Sequence, residues 1–190
     1  LSLYIHYPWC LKKCPYCDFN SHDSEVQDGY IKALLKDLDE DLKYVQQREI
    51  SSIFIGGGTP SLMNVKEVND LFIGLNDRLD FASNIEITLE ANPGTFEVDR
   101  FAEYRNAGIN RLSIGVQSFN DKQLKFLGRI HSASEAQNSI VEAQNVGFEN
   151  LNIDLMYGLK GQSIDECMND ITTAITLNPC HISFYQLTLE

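Results

Sequence analysis

Strand-like and helix-like segments alternate along this chain, and that alternation limits what it can fold into more than any other feature. Runs of apolar and β-favouring residues fall at Leu3 to His6, Ser52 to Ile55, Ile85 to Glu90, Ile109 to Val116, Leu151 to Leu155 and His181 to Thr188. Between them apolar residues recur at helix spacing. Tyr30, Ile31, Leu34, Leu35, Leu38, Leu42 and Val45 share one face, as do Val65, Val68, Leu71, Phe72, Leu75 and Leu79. Helix starts carry their own marks: Ser132 with Glu135 and Ser163 with Glu166 have the form of a capping box, and Asn64 is placed as an N-cap. Two segments echo each other, Ala107-Gly108-Ile109-Asn110-Arg111-Leu112-Ser113-Ile114 and Val146-Gly147-Phe148-Glu149-Asn150-Leu151-Asn152-Ile153. Each sets a glycine where a left-handed cap stops a helix, then begins a strand. Six strands joined by helical crossovers predict an α/β fold with a mostly parallel sheet and right-handed connections.

Two architectures satisfy that pattern, an open doubly wound sheet and a curved partial (β/α)6 barrel. Polar residues at the strand ends help to choose. A cysteine-rich loop follows the first strand, and Gly56-Gly57-Gly58-Thr59-Pro60 follows the second. Glu90 and Asn92 end the third, Gln117 follows the fourth, Asp154 ends the fifth, and Tyr185 and Gln186 lie on the sixth. All fall at carboxyl ends of strands, the face on which barrel active sites assemble. A doubly wound sheet puts its site at one switch point and leaves several of these ends unexplained. A TIM-like partial barrel of parallel strands, ending after the sixth, is therefore expected.

Composition sets outer limits. The chain has 190 residues, 43% of them hydrophobic, which suits one sizeable core and a single domain over residues 1–190. Its 15 Lys and Arg against 27 Asp and Glu give a net charge of −12, which argues against a nucleic-acid or anionic-membrane surface. No apolar run approaches the ~20 residues of a membrane-spanning helix, so a soluble cytoplasmic protein is expected rather than an integral membrane one. The sequence opens on Leu1 directly into a strand-like run, and Phe184 to Glu190 closes it in another, so both ends read as cut.

Three cysteines fall within eight residues, Cys10-Leu11-Lys12-Lys13-Cys14-Pro15-Tyr16-Cys17, just after the first strand. Thiolates this close can converge on one centre, and soft sulfur ligands suit iron–sulfur clusters. A four-iron cluster normally takes four cysteines, so three would leave one iron open to a ligand that is not protein. A zinc site would need a fourth ligand from Asp18, His22 or His6, and structural zinc commonly uses two separated ligand pairs. Disulfides fit worse, because five cysteines is an odd number and no secretory signal is visible. Cys167 and Cys180 lie far from the triplet and read as small buried apolar residues. His6 reads as a hydrogen-bonded core histidine, His22, His131 and His181 have no metal-site spacing, and Lys12 and Lys13 read as a solvated rim.

The triplet resembles the cluster loop of the radical S-adenosylmethionine (SAM) superfamily, whose C-x3-C-x2-C motif carries an aromatic before its third cysteine, here Tyr16. The resemblance implies a [4Fe–4S] cluster on Cys10, Cys14 and Cys17 whose open iron binds the amino and carboxylate groups of SAM. It also implies a reduced flavodoxin- or ferredoxin-type donor, whose electron, passed through the cluster, cleaves the sulfonium to a 5′-deoxyadenosyl radical.

A narrower likeness covers nearly the whole length. Leu3-Tyr4-Ile5-His6-Tyr7-Pro8-Trp9-Cys10, Gly56-Gly57-Gly58-Thr59-Pro60-Ser61, Ser113-Ile114-Gly115-Val116-Gln117-Ser118-Phe119 and Asn152-Ile153-Asp154-Leu155-Met156-Tyr157-Gly158-Leu159 resemble, in order, blocks of the oxygen-independent coproporphyrinogen III oxidase family. That likeness implies a partial (β/α)6 barrel whose C-terminal continuation is absent here. Position by position it assigns SAM contacts to Tyr4, Tyr16, Gly57, Gly58, Thr59, Glu90, Gln117, Arg129 and Asp154. The residue types suit the ligand. Carboxylates take its hydroxyls or positive groups, Arg129 can fork onto its carboxylate, and glycines let backbone N–H and C=O groups come close. Glu90 and Asp154 end apolar strands, where a carboxylate is costly unless paired.

One position departs from the decarboxylating oxidases. They carry a further cysteine two residues after the triplet, and here that residue is Phe19. Cys14-Pro15-Tyr16-Cys17-Asp18-Phe19-Asn20-Ser21 is instead the form of the family's heme-chaperone branch, which is thought to bind heme and hand it to acceptor proteins. Heme delivery is thus the expected role, with radical decarboxylation of coproporphyrinogen propionates as the alternative.

Overall fold

In the computed structural model, which describes residues 1–94 and 98–188, six parallel strands form one sheet. They are β1 (Ser2–Tyr7), β2 (Ile50–Gly57), β3 (Phe81–Ala91), β4 (Arg111–Gln117), β5 (Asn150–Tyr157) and β6 (His181–Gln186). Helices α1 (Tyr30–Val45), α2 (Val65–Asn76), α3 (Phe101–Asn106), α4 (Asp121–Phe126), α5 (Ala133–Asn145) and α6 (Ile164–Thr176) join them, with a short 3-10 turn at Pro60–Leu62. Leu189 and Glu190, which close the expected last strand, lie outside the described residues.

The strand order β1-β2-β3-β4-β5-β6 settles the architecture. A doubly wound sheet reverses direction at a switch point. Here each crossover steps the same way, and the right-handed connection that parallel strands take sends every helix to one face and leaves the other concave, as in a barrel segment.

The register explains why the faces differ. Successive side chains alternate across a strand, and the pairing aligns Ile5 with Ile55, Ile55 with Leu89, Leu89 with Leu112, and Leu112 with Leu151. Those residues are buried beneath the helices and form the core with Ile53, Ile87, Ile114, Ile153 and Leu155. The residues between them, His6, Glu90, Ser113, Asn152, Asp154 and Ser183, face the concave side. Closed barrels fill that space with bulky branched side chains. A polar lining here marks it as a surface for something other than packing.

Helix boundaries follow the sequence signals. Asn64, Ser132 and Ser163 each cap a helix in a full capping box, with Glu67, Glu135 and Glu166 bonding back. Each cap stabilises its helix by about 1 kcal/mol. Gly108 and Gly147 have φ of 109° and 94°, the left-handed conformation expected of them. β1, β2, β3 and β5 are longer than expected, β4 and β6 are shorter, and Ile109 precedes β4 instead of opening it. The six-residue α3 ends just before Gly108, where that glycine is expected to stop a helix, whereas the six-residue α4 has no counterpart in the sequence pattern, because a segment that short shows no apolar period. Cys180 is exposed, with its thiol on the Glu149 carbonyl, and Cys167 is half-buried, so neither is the buried residue expected. No helix among the described residues is long and apolar enough to cross a membrane.

Candidate cofactor site at the carboxyl ends of the strands

The cysteine loop is held at its root and across its middle. Tyr7 and Trp9, both buried, meet Tyr30 of α1 edge-on, with Trp9 and Tyr30 centroids 4.5 Å apart. His22 N–H donates to the Pro8 carbonyl at 2.7 Å, and Cys10 N–H donates to the His22 carbonyl at 2.9 Å, so the loop leaves and returns at one point. Lys13 is exposed on the rim, as expected, and its ammonium donates to the carbonyls of Phe19 and Ser21 at 3.1 and 3.2 Å. His6 lies 2.8 Å through Nε2 from the Asn20 carbonyl. A carbonyl can only accept, so Nε2 carries the proton and Nδ1 accepts from the Tyr4 hydroxyl at 3.1 Å. His6 thus anchors the loop with both ring nitrogens engaged.

The glycine run ties neighbouring loops and strands together through its N–H groups. Gly58 N–H donates to the Tyr7 carbonyl and Thr59 N–H to the Trp9 carbonyl, each at 2.7 Å, while Gly57 N–H donates to Glu90 Oε2 at 3.2 Å. All three N–H groups are satisfied by protein, so backbone contacts to a ligand must come from carbonyl oxygens. Glycine is needed at 58 for space: a Cβ there would lie 2.5 Å from the Trp9 carbonyl oxygen.

Glu90 faces this loop from β3. Burial pushes its carboxyl up to about 7, the Gly57 N–H opposes the shift, and the charge of Asp154 adds to it. Asp154 is paired without any ligand, which answers the cost expected of it. Ser113 Oγ donates to one oxygen at 3.0 Å, and Asn152 Nδ2 and the Tyr185 hydroxyl donate to the other at 2.8 and 3.1 Å.

Arg129 follows α4 and reaches back to the cysteine loop. Its Nη2 donates to Asn92 Oδ1 and the Gly115 carbonyl at 2.5 and 2.7 Å, and its Nη1 to Cys14 Sγ at 3.5 Å. Its Nε is buried without a partner among the described residues. Tyr16 packs with Leu127, Met156, Leu159 and Leu187. Burial raises its hydroxyl well above the ordinary tyrosine range, with Arg129 opposing and Cys14 adding. His131 hydrogen-bonds the Val116 carbonyl, and burial, with Arg129 adding, pushes it down to about 4, so it is a neutral core residue. Gln117 ends β4 in the left-handed region, φ 72°, just past a register shift between Ile114 and Gln117. A bulge of this kind re-aims side chains beside functional sites.

These residues surround one cavity of about 660 Å³, within the range of small-molecule sites. Cys10, Cys14 and Cys17 line it, with Tyr16, Gly57, Gly58, Thr59, Glu90, Gln117, Arg129 and Asp154. Tyr4 is the exception among the expected contacts. It lies nearer the start of β1, is 57% exposed, stacks on Phe54 and is not on the cavity wall. Asn92 gains in importance: its amide donates to Thr59 Oγ1 at 3.0 Å while its oxygen takes Arg129, linking the glycine loop to the guanidinium. Its position at a strand end was the available signal. Met156 and Tyr185 also line the wall.

The donor set suits an iron–sulfur cluster. Three half-buried free thiols share one wall, with a guanidinium against the sulfur of Cys14. Among the described residues no three His, Cys, Asp or Glu side chains converge as a single ion requires. A cluster asks less, because each thiolate takes a different iron.

A barrel segment with three thiols and a ligand-sized cavity at its strand ends defines a class, and comparison with known proteins agrees: the chain belongs to the radical SAM superfamily, whose family model matches residues 4–174. It is 55% identical to the heme chaperone HemW of Escherichia coli, over all of this chain and 51% of that protein. It is 54% identical to the HemW of Haemophilus influenzae, again over all of this chain and 51% of the relative. The chain thus spans about half the length of the curated relatives it matches. Among solved structures, coproporphyrinogen III oxidase (HemN) from Escherichia coli, a radical SAM enzyme, superposes with a TM-score of 0.84 at 30% identity, over 98% of this chain and 44% of that one.

Proposed function

We propose that the cavity holds a [4Fe–4S] cluster on Cys10, Cys14 and Cys17 with SAM beside it, in one domain of a longer protein that binds and delivers heme. The observation carrying this reading is the meeting of three thiols with Glu90, Gln117, Arg129 and Asp154 on one cavity wall, drawn from loops and strands far apart in sequence. When bound and reduced, the cluster supplies the electron that cleaves the SAM sulfonium. The chain's own residues hold the ligand. Arg129 brings positive charge to a carboxylate, Glu90 and Asp154 present oxygens to cationic groups or ribose hydroxyls, and the glycine-loop carbonyls accept from an ammonium. Tyr16 offers a ring beside the adenine. A flavodoxin- or ferredoxin-type protein is the donor class this chemistry needs.

Heme delivery is favoured over decarboxylation by Phe19, which stands where the oxidases have a further cysteine, and by the names of the two relatives at 55% and 54% identity. Phe19 is 63% exposed at the cavity edge, on a backbone pinned by Lys13. The oxidase reading keeps the support of the HemN likeness. The full-length parent protein, with cluster and SAM, separates them. It is expected to bind heme and to leave coproporphyrinogen III unconverted beside an authentic oxidase as positive control. Multiple-turnover decarboxylation would overturn the chaperone reading.

A further inference from the structure

A buried carboxylate in the helical layer, outside the cavity lining, bonds to the segment that joins two residues of its wall, Gln117 and Arg129. Asp170, in the middle of α6, is 1% exposed. Its oxygens accept from Ser118 Oγ and from the Phe119 N–H, each at 2.7 Å. A buried carboxylate is costly, and an apolar residue would serve packing better. What it grips gives the reason. Ser118 and Phe119 directly follow Gln117, whose φ of 72° is strained for a residue with a side chain and persists only where its surroundings enforce it.

The grip continues along the chain. Ser118 Oγ, donating to Asp170, accepts from the Asn120 N–H at 3.1 Å, and Asn120 Oδ1 caps α4 through the Lys122 N–H at 3.0 Å. Asn120 also reaches Glu166, one turn before Asp170 on α6. α4 then leads through Gly128, where a Cβ would lie 2.7 Å from the Pro15 ring, to Arg129. One end of the anchored segment aims Gln117 and the other sets the course of Arg129.

We infer that Asp170 is a positioning residue for the SAM site, acting through Ser118 and Phe119 to hold Gln117 and, by way of α4, Arg129 against the cavity. The inference rests on the SAM reading above. It is tested in the full-length protein with its cluster reconstituted anaerobically, using D170A, D170N, Q117A and the D170A/Q117A double variant. SAM affinity is read by calorimetry, iron and sulfide by analysis, and the 117–120 segment by amide hydrogen exchange.

D170A is expected to weaken SAM about tenfold, keep full iron and sulfide, and speed exchange at 118–120. D170N is expected to restore most of the affinity, because its amide oxygen still takes the Phe119 N–H and its amino group can donate to Ser118 Oγ. In the Q117A background the D170A loss should shrink severalfold. Should D170A not fold, S118A, which keeps the carboxylate and one of its bonds, carries the same expectation at a smaller loss. Wild-type affinity in a folded D170A, or a loss unchanged by Q117A, would overturn the inference. If the wild-type protein with a full cluster binds no SAM, the cofactor reading fails, and unchanged exchange at 118–120 in D170A would separately refute the positioning role.

Discussion

Glu90 titrates where its charge can be read out in a binding experiment. Its carboxyl is pushed up to about 7, mainly by burial, so it is largely protonated at pH 6 and ionised at pH 8. If its carboxylate takes a cationic group of SAM, the ligand prefers the ionised form. Affinity attributable to Glu90 should then rise with pH and level off above about 7. The ratio of wild-type to E90Q affinity is expected to widen about tenfold between pH 6 and pH 8, the change linkage gives for one proton released on binding. Calorimetry on cluster-loaded protein checks this, and a ratio flat across that range would show that Glu90 bonds only neutral groups. Asp154 differs because Ser113, Asn152 and Tyr185 already satisfy it, so its contribution depends on how those donors share it. Neither arrangement was readable from residue type. A carboxylate at a strand end announces that something pairs with it, and only the register shows whether that partner is protein.

Between β1 and β2, the glycine loop and the root of the cysteine loop form one joint. Gly58 makes it possible, since a methyl group there would meet the Trp9 carbonyl oxygen at 2.5 Å and the Trp9 and Pro8 carbonyl carbons at 2.8 and 2.9 Å. Backbone cannot give way as a flexible side chain can. G58A is expected to destabilise the fold by about 1–3 kcal/mol, the cost of overpacking, and to lower iron loading by moving the cysteine loop off its seat. Urea unfolding of the apo-protein and iron analysis of the reconstituted protein check both, and wild-type values in both would refute the joint. Long elements were readable because their signals are periodic or paired: α1 matches its apolar repeat, and α5 and α6 begin at their capping boxes. The bulge before Gln117 and the short helix α4 left no such trace. Ser118 and Phe119, which lie between them, bond to Asp170, 52 and 51 residues away in sequence, a tertiary tie that no local pattern announces.

Across the whole molecule, a barrel segment turns sequence distance into proximity. Cys10 and Asp154, on opposite sides of the chain's length, line one cavity because every parallel strand ends on the same rim. The convex face supplies stability through its apolar rows, which frees the concave face to be polar. Sequence pattern revealed this division through the strand-end residues, while the position of Tyr4 off the cavity wall had no signal in it, because family likeness assigns a role without showing how far along the strand a ring reaches. The most direct test is metal analysis of anaerobically reconstituted protein, with Cys10, Cys14, Cys17, Cys167 and Cys180 each replaced by alanine. The wild-type protein and the last two variants should carry the iron and sulfide of one four-iron cluster with its brown absorbance, and the first three should lose it. Stoichiometric zinc without sulfide in the wild-type protein, or cluster retention in any of the first three variants, would contradict the account.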